Sequence, residues 1–161
     1  MRILLAIDSS RFSEAAIRAV AERGRPQDTE VRVLSVVESM PLLVSREMAG
    51  YDPALETAWE SQKQNAEELV RKAAESLQVR GLRVATTVVE GDPKSKILDL
   101  AEEWPADLIV IGSHGRKGLS RFLIGSVSDA VARHAPCSVE IVRIPPRKLE
   151  TEVTNNTRDV A

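Results

Sequence analysis

The residues best able to do chemistry lie in one run, Gly112-Ser113-His114-Gly115-Arg116-Lys117-Gly118-Leu119-Ser120-Arg121-Phe122-Leu123-Ile124-Gly125-Ser126. Four glycines and three basic residues fall in it, with no acidic one. Asp107-Leu108-Ile109-Val110-Ile111 ahead of it reads as a buried strand, and Val127, Ala130 and Val131 mark the start of a helix behind it. Glycine lets a backbone turn tightly and approach a ligand with no Cβ in the way. The free amides of a helix start, with the helix dipole behind them, favour an anion. Ser126 and Ser128 can add hydroxyl donors, and Arg116, Lys117 and Arg121 can add positive charge. A chain of phosphates is the natural occupant. The plainer alternative is a glycine-rich connection that only turns the chain. The run is not a Walker A loop, because no Gly-Lys-Ser/Thr follows at the required spacing. Nor is it the dinucleotide fingerprint, which belongs after a first strand.

The elements around this run set where it must sit. Residues 3–7 and 31–37 are apolar, β-branched runs suited to buried strands. Between them Ala16, Ile17, Val20 and Ala21 recur with helical spacing, with Ser10 as N-cap and Gly24 and Pro26 as the stop. Residues 38–58 read as a long loop with at most a short helical piece. Residues 59–79 carry Ala66, Leu69, Val70, Ala73 and Leu77 on one helical stripe, closed by Gly81. Residues 82–89 are a third strand. Asp92 and Pro93 suit the N-cap and first position of the next helix, which shows Ile97, Leu100, Ala101 and Trp104. Residues 107–111 and 138–144 complete the strands. The βαβαβαβαβ alternation predicts an α/β fold, an open five-stranded parallel sheet with helices on both faces. Such sheets bind ligands beyond the carboxyl ends of their strands, where the strand order reverses. Asp8–Ser10, the stretch after Val36 and the run 112–126 are therefore the segments that matter.

Composition narrows the function classes. A net charge of −2 argues against a general nucleic-acid binder, which needs a basic excess. The single cysteine, Cys137, allows no internal disulfide and no cysteine-based zinc site, and fits a reducing compartment. The opening Met-Arg-Ile-Leu-Leu-Ala-Ile-Asp is too short an apolar run for a signal peptide. No stretch approaches the roughly 18 apolar residues of a membrane helix. The expectation is a cytoplasmic protein with no nucleic-acid or membrane partner.

Gly112-x2-Gly115-x9-Gly125-Ser126 resembles the ATP-binding pattern of the universal stress protein family. The neighbouring Ile-Val-Ile-Gly-Ser-His-Gly, Gly-Ser-Val-Ser and His-Ala-Pro-Cys-Ser-Val are similar too, as are Ala-Ile-Asp-Ser-Ser at the start and Gly91-Asp92-Pro93. The resemblance covers about residues 1–144 and leaves 145–161 as a polar tail expected to be disordered. It implies a Rossmann-like domain over 1–144 with strand order 3-2-1-4-5. It implies that Asp8 lies near the adenosine moiety, that the backbone around Val36 lines the adenine pocket, and that Ile111 and Gly112 end strand four against the nucleotide. Gly115, Gly125, Ser126, Val127 and Ser128 would hold the phosphates, Val127 through its backbone alone, with Arg116 beside them. Ala6 stands where some ATP-binding relatives have proline, and Ile7 where some have a polar residue.

The resemblance further implies ATP, or ADP or AMP, as ligand, and a homodimer formed along the last strand through Val139 and Ile141. A tail covering that edge is the alternative. Magnesium or manganese is compatible with a triphosphate, although no dedicated metal cage is apparent. The implied role is a stress-response or signalling module read by an unidentified protein partner. The alternative is a slow ATPase or phosphotransferase using the same glycine loop. No residue is assigned as catalytic or as a metal ligand, and at most weak hydrolysis is expected. His114 beside Ser113 reads as a polar loop residue near the phosphates, since adjacent loop residues need not face each other. His134, Cys137, Trp59 and Trp104 read as structural.

Overall fold

A computed structural model describes residues 1–38, 53–115 and 124–144. Arg116, Lys117, Arg121, most of the 38–58 stretch and the 145–161 tail lie outside the described residues. The elements are β1 (Arg2–Ala6), α1 (Arg11–Arg23), β2 (Glu30–Val37), α2 (Pro53–Gln78), β3 (Arg83–Glu90), α3 (Pro93–Glu103), β4 (Leu108–Gly112), α4 (Ser126–His134) and β5 (Ser138–Val142). All pairings are parallel, and the five strands run in the order β3-β2-β1-β4-β5. The strand order and the helices on both faces agree with the expectation from sequence.

Period-two alternation divides the strands between two cores. Ile3, Leu5, Val31, Val33, Leu108 and Val110 point to one face, where Ala16 and Val20 of α1 and Val70, Ala73 and Leu77 of α2 cover them. Leu4, Ala6, Leu34, Ile109 and Ile111 point to the other, under Ile97 and Ala101 of α3 and Val131 of α4. Strands buried on both faces read as continuous apolar runs, which is why β1 and β4 were plain in the sequence. The chain reverses direction across the sheet at β1, which pairs with β2 on one side and β4 on the other. The crevice beyond the carboxyl ends of β1 and β4 is therefore the switch point.

The helix starts behave as their residues dictate, with one correction. Ser10 caps α1, its hydroxyl accepting from Ser13 N at 3.3 Å. The second helix begins at Pro53, six residues ahead of the position its apolar stripe suggests. A proline at the first helical position is pre-set for the helix and gives up no hydrogen bond there, so Pro53 opens α2 as Pro93 opens α3.

Asp92 caps α3, its carboxylate accepting from Ser95 N and Ser95 Oγ, both at 3.1 Å. The Ser95 amide, helped by the Ser95 hydroxyl and Lys94, holds this carboxyl below its ordinary value of 3.8. Because the folded-state value is depressed, the stabilisation is present above the unfolded value and disappears as pH falls through the folded one. Asp92→Ala is expected to cost about 1 kcal/mol at neutral pH. Urea melts at pH 7 and in the acid limb test this, since the gap between variant and parent should close below the folded-state value.

Candidate functional site

A cleft of about 380 Å³ opens at the switch point. Asp8, Val36, Ile111, Gly112, Gly115, Gly125, Ser126, Val127 and Ser128 all line it. Every site residue read from sequence is thus brought to one place, except Arg116, which lies outside the described residues. The lining also includes Ser13, Leu34, Glu38, Pro93 and Ile97, which sequence reasoning missed. Pro93 and Ile97 carried a usable signal, because the turn at 91–93 leaves the same end of the sheet. Ile97 was read only as core, and it is core as well as cleft floor.

The end of β2 presents a bare backbone edge. Ile7 N donates to Leu34 O at 2.9 Å, and Gly91 N donates to Val37 O at 3.0 Å. Backbone groups alternate sides along a strand. The amide and carbonyl of Val36 therefore face the β1 side, one step past the last β1–β2 bond. There β1 has given way to Asp8, so this edge looks into the cleft.

The start of α4 supplies the opposite wall. Gly125 is its N-cap, with ordinary extended angles (φ −61, ψ 150), and no side chain caps the helix. The first amide to bond back along the helix is Asp129 N, to Gly125 O at 2.9 Å. The amides of Ser126, Val127 and Ser128 are left at the mouth with the helix dipole behind them. The base of the loop is pinched shut, since Gly125 N donates to Ser113 O at 2.8 Å. A Cβ on Gly125 would sit 3.3 Å from that carbonyl and from His114 Cα, so glycine lets the two ends of the loop meet.

Ser128 is not the hydroxyl donor that the sequence suggested. It is buried, and its Oγ donates within the loop to Ser113 O and Gly125 O, each at 3.1 Å. A hydroxyl has a single proton, so Ser128 braces the loop while its amide remains at the helix start. Gly112 also has a second reason to be glycine. A Cβ there would meet Phe12 Cβ at 2.7 Å and the Phe12 carbonyl carbon at 2.8 Å, so the residue is fixed by the approach of α1 as well as by the cleft.

Asp8 is held by its own loop. Its Oδ1 accepts from Ser10 N at 3.0 Å and Ser13 Oγ at 2.8 Å. Its Oδ2 lies 2.9 Å from the position a Cβ of Gly115 would take. Asp8 thus braces the turn into α1, whose N-cap is Ser10, while it lines the cleft with its carboxylate beside the glycine loop. Glu38 adds a second carboxylate to the lining. Ser113 and His114, whose adjacency in sequence did not require them to face each other, do meet, with Ser113 Oγ and His114 Nδ1 3.1 Å apart.

Other polar and aromatic candidates fall outside the cleft. Burial pushes the Cys137 thiol up, Asp107 adds to the shift and an Ile109 backbone bond opposes it. Cys137 packs against the core on the α3–α4 side. His134 Nδ1 is 2.9 Å from Ala130 O at the end of α4. Trp104 packs on that same core, with the guanidinium carbon of Arg32 4.7 Å from its ring centre. Among the described residues no helix is long and apolar enough to cross a membrane.

The sequence model of the universal stress protein family matches residues 1–143, which takes in every strand and both walls of the cleft. The chain belongs to the universal stress protein family. A universal stress protein of Methanocaldococcus jannaschii is 30% identical over 147 residues, 91% of this chain and 84% of that one. Among solved structures, the universal stress protein UspA of Lactobacillus plantarum superposes with a TM-score of 0.73 at 27% identity, covering 89% of this chain and 97% of its own. A universal stress family protein of Arabidopsis thaliana, solved with AMP bound, superposes with a TM-score of 0.67 and covers 92% of this chain and 94% of its own. At 19% identity that likeness shows the shared fold. This universal stress protein thus has the family's sheet, with the uncapped start of α4 and the Val36 edge facing one crevice.

Proposed function

We propose that this universal stress protein binds an adenine nucleotide, ATP or else ADP or AMP, and serves as a nucleotide-dependent stress-response or signalling module. The observation that carries the reading is that the bare amides of the α4 start and the bare backbone edge of Val36 line the same cleft. The first suits phosphate oxygens. The second offers one donor and one acceptor, which complement the ring nitrogen and amino group on one edge of adenine. Ala6, Leu34, Pro93, Ile97 and Ile111 give the base apolar surroundings. The volume falls within the usual range for small-ligand sites. The AMP-bound Arabidopsis neighbour accords with this choice of ligand. Magnesium or manganese would travel with a triphosphate, and Asp8 and Glu38 are hard oxygen donors beside the loop.

The test is to heat-denature the purified protein and run the supernatant on anion exchange. An adenine nucleotide in stoichiometric amount supports the reading. An empty protein whose melting temperature also ignores millimolar ATP, ADP and AMP would refute it.

In the same reading the protein is a homodimer paired along β5. Among the described residues this strand is an edge of the sheet, its backbone laddered with β4 alone, and unpaired edges invite a second chain. Ser113 N donates to Val142 O at 2.8 Å, so Val142 and Glu140 face β4. By alternation the backbones of Val139 and Ile141 face outward. Their side chains pack against the α3–α4 core. Ile141→Pro therefore removes an outward amide and no bond to β4. Light scattering after size exclusion should give the dimer mass for the parent and half that mass for the variant. A variant that stays dimeric contradicts pairing through this edge.

A further inference from the structure

His114 carries a polar atom that the protein itself does not satisfy. Its Nε2 is buried without a hydrogen-bond partner, although the residue lines the cleft. Leaving such a group unpaired costs about 1–3 kcal/mol, so its persistence in a ligand-facing loop calls for a partner from outside the chain. The other ring nitrogen is committed. Nδ1 lies 3.1 Å from Ser113 Oγ, and Ser113 is only 1% exposed. A hydroxyl that deeply buried must donate its proton, and Nδ1 is the acceptor the structure offers it. Nδ1 therefore keeps its lone pair, and in the neutral ring the proton sits on Nε2. The ring is also fixed in orientation, with the Phe12 ring 5.0 Å away and inclined at 42°.

On the nucleotide-binding reading above, we propose that His114 is a phosphate-sensing residue of the site, its Nε2–H donating to a phosphate oxygen of the bound nucleotide. The Ser113–His114 pair then has a purpose that the glycine pattern does not state. Ser113 holds the imidazole in the tautomer that donates, and the main-chain bonds of Ser113 O to Gly125 N and Ser128 Oγ tie that imidazole to the start of α4. The α4 amides attract any anion. The imidazole adds a directed, charge-assisted bond at one point of the phosphate chain.

The discriminating variants exploit side-chain length. His114→Gln keeps an amide donor near the Nε2 position, whereas His114→Asn keeps a polar group only near Nδ1. Calorimetric titration with AMP and with adenosine, on proteins whose ligand-free melting temperatures agree, reads the effect. His114→Ala and His114→Asn should each bind AMP about tenfold more weakly, His114→Gln should stay within about threefold of the parent, and adenosine affinity should be the same for all four proteins. Equal AMP affinity across the series overturns the inference while leaving nucleotide binding intact. An equal loss for AMP and adenosine also overturns it, since the contact would then be to the nucleoside. A parent protein that binds neither ligand overturns the inference, and one that also ignores ATP and ADP overturns the reading it rests on.

Discussion

Gly115→Val is expected to erase the response of this protein to adenine nucleotides while leaving the fold intact. At a ligand concentration about a hundredfold above Kd, binding should stabilise the parent by about 2.7 kcal/mol, which for a chain of this length raises Tm by about 5–10 °C. The variant should shift by less than about 1 °C under the same conditions. The reason is local. The first atom of the new side chain would lie 2.9 Å from Asp8 Oδ2, and Asp8 is anchored through Oδ1 to Ser10 and Ser13. The two further methyls must occupy the cleft that Gly115 lines. Gly115 is itself exposed, so the variant loses no core contact; only the end of the Asp8 side chain must shift, and the ligand-free melting temperature should stay within about 2–4 °C of the parent's. Differential scanning fluorimetry with and without AMP separates the two effects. A full nucleotide response in the variant would show that ligand does not pass beside this loop.

Gly112→Ala should do the reverse. Here the added methyl meets backbone atoms, the Phe12 carbonyl carbon at 2.8 Å and its oxygen at 3.0 Å. Neither can swing away without moving the first turn of α1. Overpacking of this kind costs about 2–3 kcal/mol, or a fall of about 5–10 °C in Tm, with no ligand present. Because α1 begins two residues beyond Ser9 and carries Ser13, which holds Asp8, the displaced helix should also weaken nucleotide binding. Melting the ligand-free variant tests the packing argument directly, and an unchanged Tm would mean that α1 does not press on the end of β4. The two glycines of one motif thus answer to different forces, one to the space a ligand needs and the other to a helix crossing a strand.

That division was not legible in the sequence, although much else was. The two-sided parallel sheet followed from β1 and β4 being apolar throughout and from the regular alternation of strand and helix, and the strand order from the family resemblance. The cleft followed from topology, because ligand sites in such sheets form where the chain reverses. The start of α2 was missed because Pro53, which opens it, follows Pro41, Gly50 and Asp52 and reads equally well as part of a loop. Ser128 looked like a ligand donor because its partners, Ser113 O and Gly125 O, are backbone atoms whose positions no side-chain pattern encodes. The meeting of Ser113 with His114 depends on the turn between them and on Phe12 packing against the ring, a residue about a hundred positions away. Local periodicity reports which face of an element is buried. It does not report which backbone atoms a loop will bring together.

The central claim is that the open amides of the α4 start receive phosphate while the Val36 edge receives the base. Amide-resolved NMR titration tests both halves in one experiment. Titrating AMP into the labelled protein should move the Ser126, Val127 and Ser128 amide signals and the Val36 amide signal along one saturating curve. Adenosine should move Val36 and leave the three α4 amides nearly in place. If AMP saturates the protein while those four amides stay still, the ligand lies elsewhere and this account of the cleft is wrong.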